Sequence, residues 1–90
     1  QKIKIKKVLL GNAQHYFTKA SVAQFLIENN ELKNGDKIMI SGPSTGNEQL
    51  IIENLYVNGK SFDQANIGDK VTFEVPFRVR LSDKLYKIIE

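Results

Sequence analysis

Apolar and polar side chains alternate with period two through much of this chain, in short segments separated by turn residues. Period two marks a strand with one buried face. Residues 21–28 show it plainly: Ala23, Phe25 and Ile27 share one face, and Gln24, Leu26 and Glu28 the other. Residues 37–41 place Ile38 and Ile40 toward a core, and residues 70–75 place Val71, Phe73 and Val75 there. Residues 50–57 form a longer β-prone run, and residues 85–89 a last strand. Residues 10–17 read as a weaker strand, interrupted by Gly11. The opening Lys2-Ile3-Lys4-Ile5-Lys6 alternates as well, as a half-exposed strand or an extended connector. No stretch carries the apolar i, i+3, i+4, i+7 spacing with caps that a helix needs.

The punctuation supports the same picture. Asn58-Gly59 between two β-prone runs predicts a type I′ hairpin, because that turn needs positive φ at both central residues. Lys33-Asn34-Gly35-Asp36 is a tight turn, and residues 42–47 are a loop rich in Gly, Pro, Ser and Thr. Residues 63–66 fit a single helical turn or an irregular loop, and Pro76 ends the strand before it. Gly35-Asp36-Lys37-Ile38 recurs as Gly68-Asp69-Lys70-Val71, each a turn that launches an alternating strand. Six or seven short strands with frequent turns predict an all-β sandwich or barrel. Closure removes exposed edges, so the expected fold is a small closed or partly open barrel of six to seven strands.

Composition narrows the class. Ninety residues make one domain, and 41% hydrophobic with 26% charged residues is a globular balance. The absence of cysteine excludes disulfides and thiolate metal sites, and fits a reducing compartment, so a cytoplasmic location is expected. No apolar run approaches the roughly 20 residues that span a bilayer, and no signal peptide is recognisable, so no membrane partner is expected. The chain opens on Gln1, as a piece of a longer protein would. Its net charge of +3 comes from 13 basic and 10 acidic residues. Lys2, Lys4, Lys6 and Lys7 supply four of the basic ones, so the rest of the domain is close to neutral.

The order of the turn motifs carries a resemblance. The segment from Leu32 through Gly35-Asp36 to Gly42-Pro43, followed by Gly68-Asp69 and Asp83-Lys84-Leu85, resembles the second domain of translational GTPases such as elongation factor Tu. It is more similar to the C-terminal barrel of the collagenase-like peptidase family U-32. That likeness rests on Leu10-Gly11, Tyr16-Phe17, Val22-Ala23-x-Phe25, Gly35-Asp36-Lys37-Ile38, Gly42-Pro43-x-Thr45-Gly46, Val57-x-Gly59-Lys60, Ala65, Gly68-Asp69-Lys70-Val71, Val79-Arg80 and Asp83-Lys84-Leu85-Tyr86-Lys87. It covers about residues 10–90, leaving 1–9 as a connector or extra strand from a preceding domain. Ala13 stands where a β-branched residue is usual, which implies a frayed strand. The resemblance puts the catalytic residues in a separate N-terminal domain, so none carries over to this chain.

The residues themselves offer little chemistry. His15 is the only histidine and has no carboxylate beside it in sequence, so it reads as a surface or packing residue and no metal site is expected. The loop Ser41-Gly42-Pro43-Ser44-Thr45-Gly46 has glycines but no Gly-Lys-Ser/Thr ending, and reads as a strand-to-strand turn. Its Ser44 and Thr45 are candidate ligand or partner contacts. Carboxylates are scattered, and nothing pairs them for acid–base work. Arg78 and Arg80 share a face if their segment is extended, with Lys84 close behind. They could hold phosphates, or form a solvated rim with ion pairs to Asp83 and Glu74. Gly35, Asp36, Gly42, Asn58, Gly59, Gly68 and Asp69 are expected to be structural turn residues. The expected function is a non-catalytic accessory barrel, monomeric in isolation and without cofactor. Its expected partner is a peptidase-like catalytic domain of the same protein, with RNA as the alternative partner.

Overall fold

Asp-closed turns set where the strands begin. In a computed structural model that describes residues 6–89, the Lys33 N–H donates to Asp36 Oδ2 at 2.8 Å and the Asp36 N–H returns to the Lys33 carbonyl at 3.1 Å. Asn66 and Asp69 repeat both bonds at 2.8 and 3.0 Å. Gly35 and Gly68, just before the aspartates, take positive φ, +94° and +95°, which glycine adopts without strain. Asn58 and Gly59, at +53° and +82°, turn the third hairpin as a type I′ turn should.

Ten strands occupy the described residues: β1 (Lys6–Phe17), β2 (Val22–Ile27), β3 (Leu32–Lys33), β4 (Lys37–Gly42), β5 (Gly46–Ile51), β6 (Tyr56–Val57), β7 (Lys60–Ser61), β8 (Gln64–Ala65), β9 (Lys70–Glu74) and β10 (Lys84–Ile89). Eight of them form one sheet in the order β5-β4-β10-β1-β2-β9-β6-β7, and β3 pairs with β8 apart from it. Every pairing is antiparallel. The all-β expectation therefore holds. The strand number exceeds the expected six to seven because the run 50–57 divides between β5 and β6 and because β3 and β8 are two-residue bridges that no alternation pattern can reveal.

The inward faces meet in a single core. Phe25 and Phe73 stack with ring centroids 5.4 Å apart, and Leu10, Ile27, Ile38, Ile40, Val71 and Leu85 are fully enclosed. The inward residues expected on β2, β4 and β9 are all buried. Met39 and Ile88 are also buried but lie on the opposite face of β4 and β10, outside that core.

The strand from residue 10 is not weak. β1 is the longest element, twelve residues, because its first part pairs with β10 and its second part with β2. Bulges between Leu9 and Gly11 and between Ala13 and His15 let it turn from one neighbour to the other. Gly11 is needed at that crossing: a Cβ there would lie 1.7 Å from the Leu26 carbonyl oxygen. Ala13 is buried, and its N–H donates to the Asp83 carbonyl at 3.0 Å, so the strand is not frayed there. Of residues 1–9, Lys6 to Leu9 pair with β10, and residues 1–5 lie outside the described residues.

Two further expectations change. The β-prone run 50–57 is broken, because Ile52 and Leu55 leave the ladder to fill the core. The Leu55 N–H goes instead to Asn34 Oδ1 at 2.9 Å, and the Gly35 N–H to the Ile52 carbonyl at 2.7 Å. Residues 63–66 hold no helical turn: Gln64 and Ala65 form β8 against β3.

Candidate functional site

After β9 the chain bends at Pro76 and Phe77 and passes through a turn at 80–83 before entering β10. Val79 is buried, so its neighbours Arg78 and Arg80 both project outward. The two arginines line one open cleft of about 340 Å³ with His15, Tyr16 and Thr18 from the end of β1. Arg78 also borders an adjoining cleft with Tyr16 and Glu74. His15 is exposed, its ring edge-on to Phe17 with centroids 4.4 Å apart, so it is a surface residue as expected. Among the described residues neither guanidinium is engaged in an ion pair.

Asp83 meets the backbone of Arg80 and not its guanidinium. The Asp83 side chain is fully buried, and Oδ2 accepts the backbone N–H of Arg80 at 3.0 Å and the hydroxyl of Thr45. The Asp83 N–H returns to the Arg80 carbonyl at 2.9 Å. Residues 80–83 thus repeat the two hydrogen bonds of the turns at 33–36 and 66–69, with Ser82 in place of the glycine and without its positive φ. The spacing Arg80-x-x-Asp83 matches Lys33-x-x-Asp36 and Asn66-x-x-Asp69, and it was the one sequence signal that could have revealed it.

The five candidate contact residues therefore separate. Arg78 and Arg80 share a cleft, and Thr45 is joined to the Arg80 turn through Asp83. Ser44 is exposed on the turn between β4 and β5, while Lys84 pairs in register with Asn12 and Ser41; neither lines the arginine cleft. Gly35, Asp36, Asn58, Gly59, Gly68 and Asp69 all sit in turns. Gly42 ends β4 and serves as a point of close approach to Asp83. Among the described residues no group of three His, Asp or Glu side chains could hold a metal, and no helix is long and apolar enough to cross a membrane.

A second and larger cleft, about 510 Å³, opens at the far end of the sheet. It lies between residues 50–54 and a wall made by Val22, Tyr56, Thr72, Phe73 and Glu74.

This fold is similar to that of the C-terminal domain of a candidate U-32 peptidase. The chain matches the crystal structure of the C-terminal domain of a candidate U-32 peptidase from Geobacillus thermoleovorans with a TM-score of 0.81 at 22% identity, covering 88% of this chain and 90% of that one. The selenomethionine form of the same domain matches with a TM-score of 0.80 at 21% identity, covering 87% and 96%. In sequence, 82 residues, 91% of the chain, are 37% identical to a collagenase of Porphyromonas gingivalis, spanning 20% of that protein. An uncharacterized protease of Methanocaldococcus jannaschii is 30% identical over 87 residues, 97% of this chain and 21% of that protein. The chain thus spans about a fifth of these relatives. No family model matches it. The resemblance to the U-32 family read from the sequence is borne out by relatives and fold alike.

Proposed function

We propose that this domain is the non-catalytic accessory barrel of a collagenase-like U-32 peptidase, and that it assists substrate capture or docks on the catalytic domain. The observation that carries this reading is the match itself: 91% of the chain aligns with only 20% of a collagenase. The chemistry of the described residues supports it, since the one histidine packs edge-on against Phe17 and the buried carboxylate of Asp83 closes a turn.

The test compares a full-length parent protein with a version lacking residues 10–90, on gelatin and on a short chromogenic peptide. The expected result is slower gelatin cleavage with short-peptide cleavage retained, and no hydrolysis by residues 1–90 alone. Hydrolysis by the isolated domain, or gelatin cleavage untouched by the deletion, would overturn the reading.

One observation favours a second reading, an RNA-binding module of an RNA-modification factor. Arg78 and Arg80 share their cleft with His15 and Tyr16, and cations beside aromatic rings suit phosphates and unstacked bases.

A further inference from the structure

The large cleft lies where the sheet ends. β5 is the terminal strand and is bonded to β4 on one side only. Just beyond it, Ile52 donates its N–H to the Asp36 carbonyl at 3.0 Å and accepts the Gly35 N–H at 2.7 Å, so its backbone faces the β4 side. Successive residues of an antiparallel ladder present their backbone groups to opposite sides. The N–H and C=O of Gln49 and Ile51 therefore face away from β4, and among the described residues no backbone group meets them. Across the cleft β6 pairs only with Val71 and Thr72 of β9, so beyond it the backbone of Glu74 faces the cleft, while Phe73 faces its partner Ala23 on β2. The unpaired edge of β5 thus borders the cleft.

The lining of the cleft adds chemistry to that edge. Leu50, Ile51 and Tyr56 give the mixed lining its exposed apolar part, and Glu53 and Glu74 stand among them. Both glutamates are exposed, and among the described residues neither is engaged in an ion pair or hydrogen bond. In a chain of net charge +3 this is a local reversal of sign. A row of free N–H and C=O groups matches a peptide backbone, and two free carboxylates match Lys or Arg side chains.

We propose that an extended, cationic peptide segment adds to the sheet along β5, with apolar side chains against Leu50 and Tyr56 and basic ones toward Glu53 and Glu74. The proposal rests on the substrate-capture reading above and names the class of substrate captured.

The test uses the 90-residue chain and a fluorescein-labelled peptide of about eight alternating Val and Lys residues, long enough to cover β5. Fluorescence anisotropy is compared with that of an alternating Val and Glu peptide. The Val–Lys peptide is expected to bind, and the Val–Glu peptide to bind at least about tenfold more weakly. Glu53→Gln with Glu74→Gln, both at exposed positions, is expected to weaken Val–Lys binding about tenfold at low salt. Ile51→Pro removes an N–H that points away from β4, and is expected to abolish binding with the circular dichroism spectrum unchanged. Equal binding of the two peptides, no binding of either, or binding unaffected by the glutamate pair would overturn the proposal. Such a result with the gelatin defect of the deletion intact would sink the peptide groove and leave the accessory role standing.

Discussion

The carboxylate of Asp83 occupies the space that a side chain on Gly42 would need: a Cβ at Gly42 would stand 1.7 Å from Asp83 Oδ1. That carboxylate is fully buried, its Oδ2 bonded to the Arg80 N–H and the Thr45 hydroxyl, and its Oδ1 without a partner. The Asp83 carbonyl in turn accepts the Ala13 N–H at 3.0 Å. One residue therefore ties β1, the β4–β5 hairpin and the turn that carries Arg80. A buried polar group is costly unless its bonds are made, so anything that displaces the carboxylate is felt in all three places.

Gly42→Ala should shift Asp83 and lower the unfolding free energy by about 2–3 kcal/mol, the upper part of the usual cost of overpacking. A domain of this size has about 5–15 kcal/mol in total, so the loss is easily measured as a fall in the urea midpoint. A midpoint equal to that of the parent would show that the close approach is not real.

Asp83→Ala removes both bonds to Oδ2 and should cost about 3 kcal/mol, while Thr45→Val removes one and should cost about 1 kcal/mol. The two groups share a bond, so the double variant should lose less than the sum of the single losses. Strict additivity in this cycle would argue against the contact.

Asp36 and Asp69 close matching turns, but Asp36 Oδ2 also meets Lys87 Nζ at 3.3 Å. Asp36→Ala should therefore cost about 2 kcal/mol and Asp69→Ala about 1 kcal/mol. Part of the difference should vanish in high salt, where the ion pair is screened. Equal losses at low salt would assign the Lys87 contact no weight.

For the RNA reading, tRNA binding by the 90-residue chain is measured across a salt series. Arg78→Ala with Arg80→Ala should reduce the slope of log K against log salt by about two units, one per lost phosphate contact. An unchanged slope would remove the arginine cleft from that reading.

What was legible in the chain was local chemistry. The Gly35-Asp36 and Gly68-Asp69 turns and the Asn58-Gly59 hairpin depend on φ angles and on bonds spanning three residues, which a few adjacent side chains decide. The third Asp turn escaped because Ser82 stands where the other two copies have glycine. Gly11 looked like an interruption because its justification, the Leu26 carbonyl, is fifteen residues away in sequence. Arg78 and Arg80 were legible as a pair on one side of Val79. Their meeting with His15 and Tyr16 depends on how β1 passes beneath residues 75–83.

The sequence by itself determined that the domain is all β, that its core faces are those of residues 21–28, 37–41 and 70–75, and that its turns fall at the Gly-Asp and Asn-Gly pairs. Period-two alternation and turn propensity suffice for that, because each acts over a few residues. Only the tertiary structure decided that β1 serves two partners, that Asp83 is buried against Gly42, and that β5 ends the sheet beside a cleft with two free carboxylates. Those features arise where segments distant in sequence compete for the same space and the same hydrogen bonds, and no local pattern records the outcome.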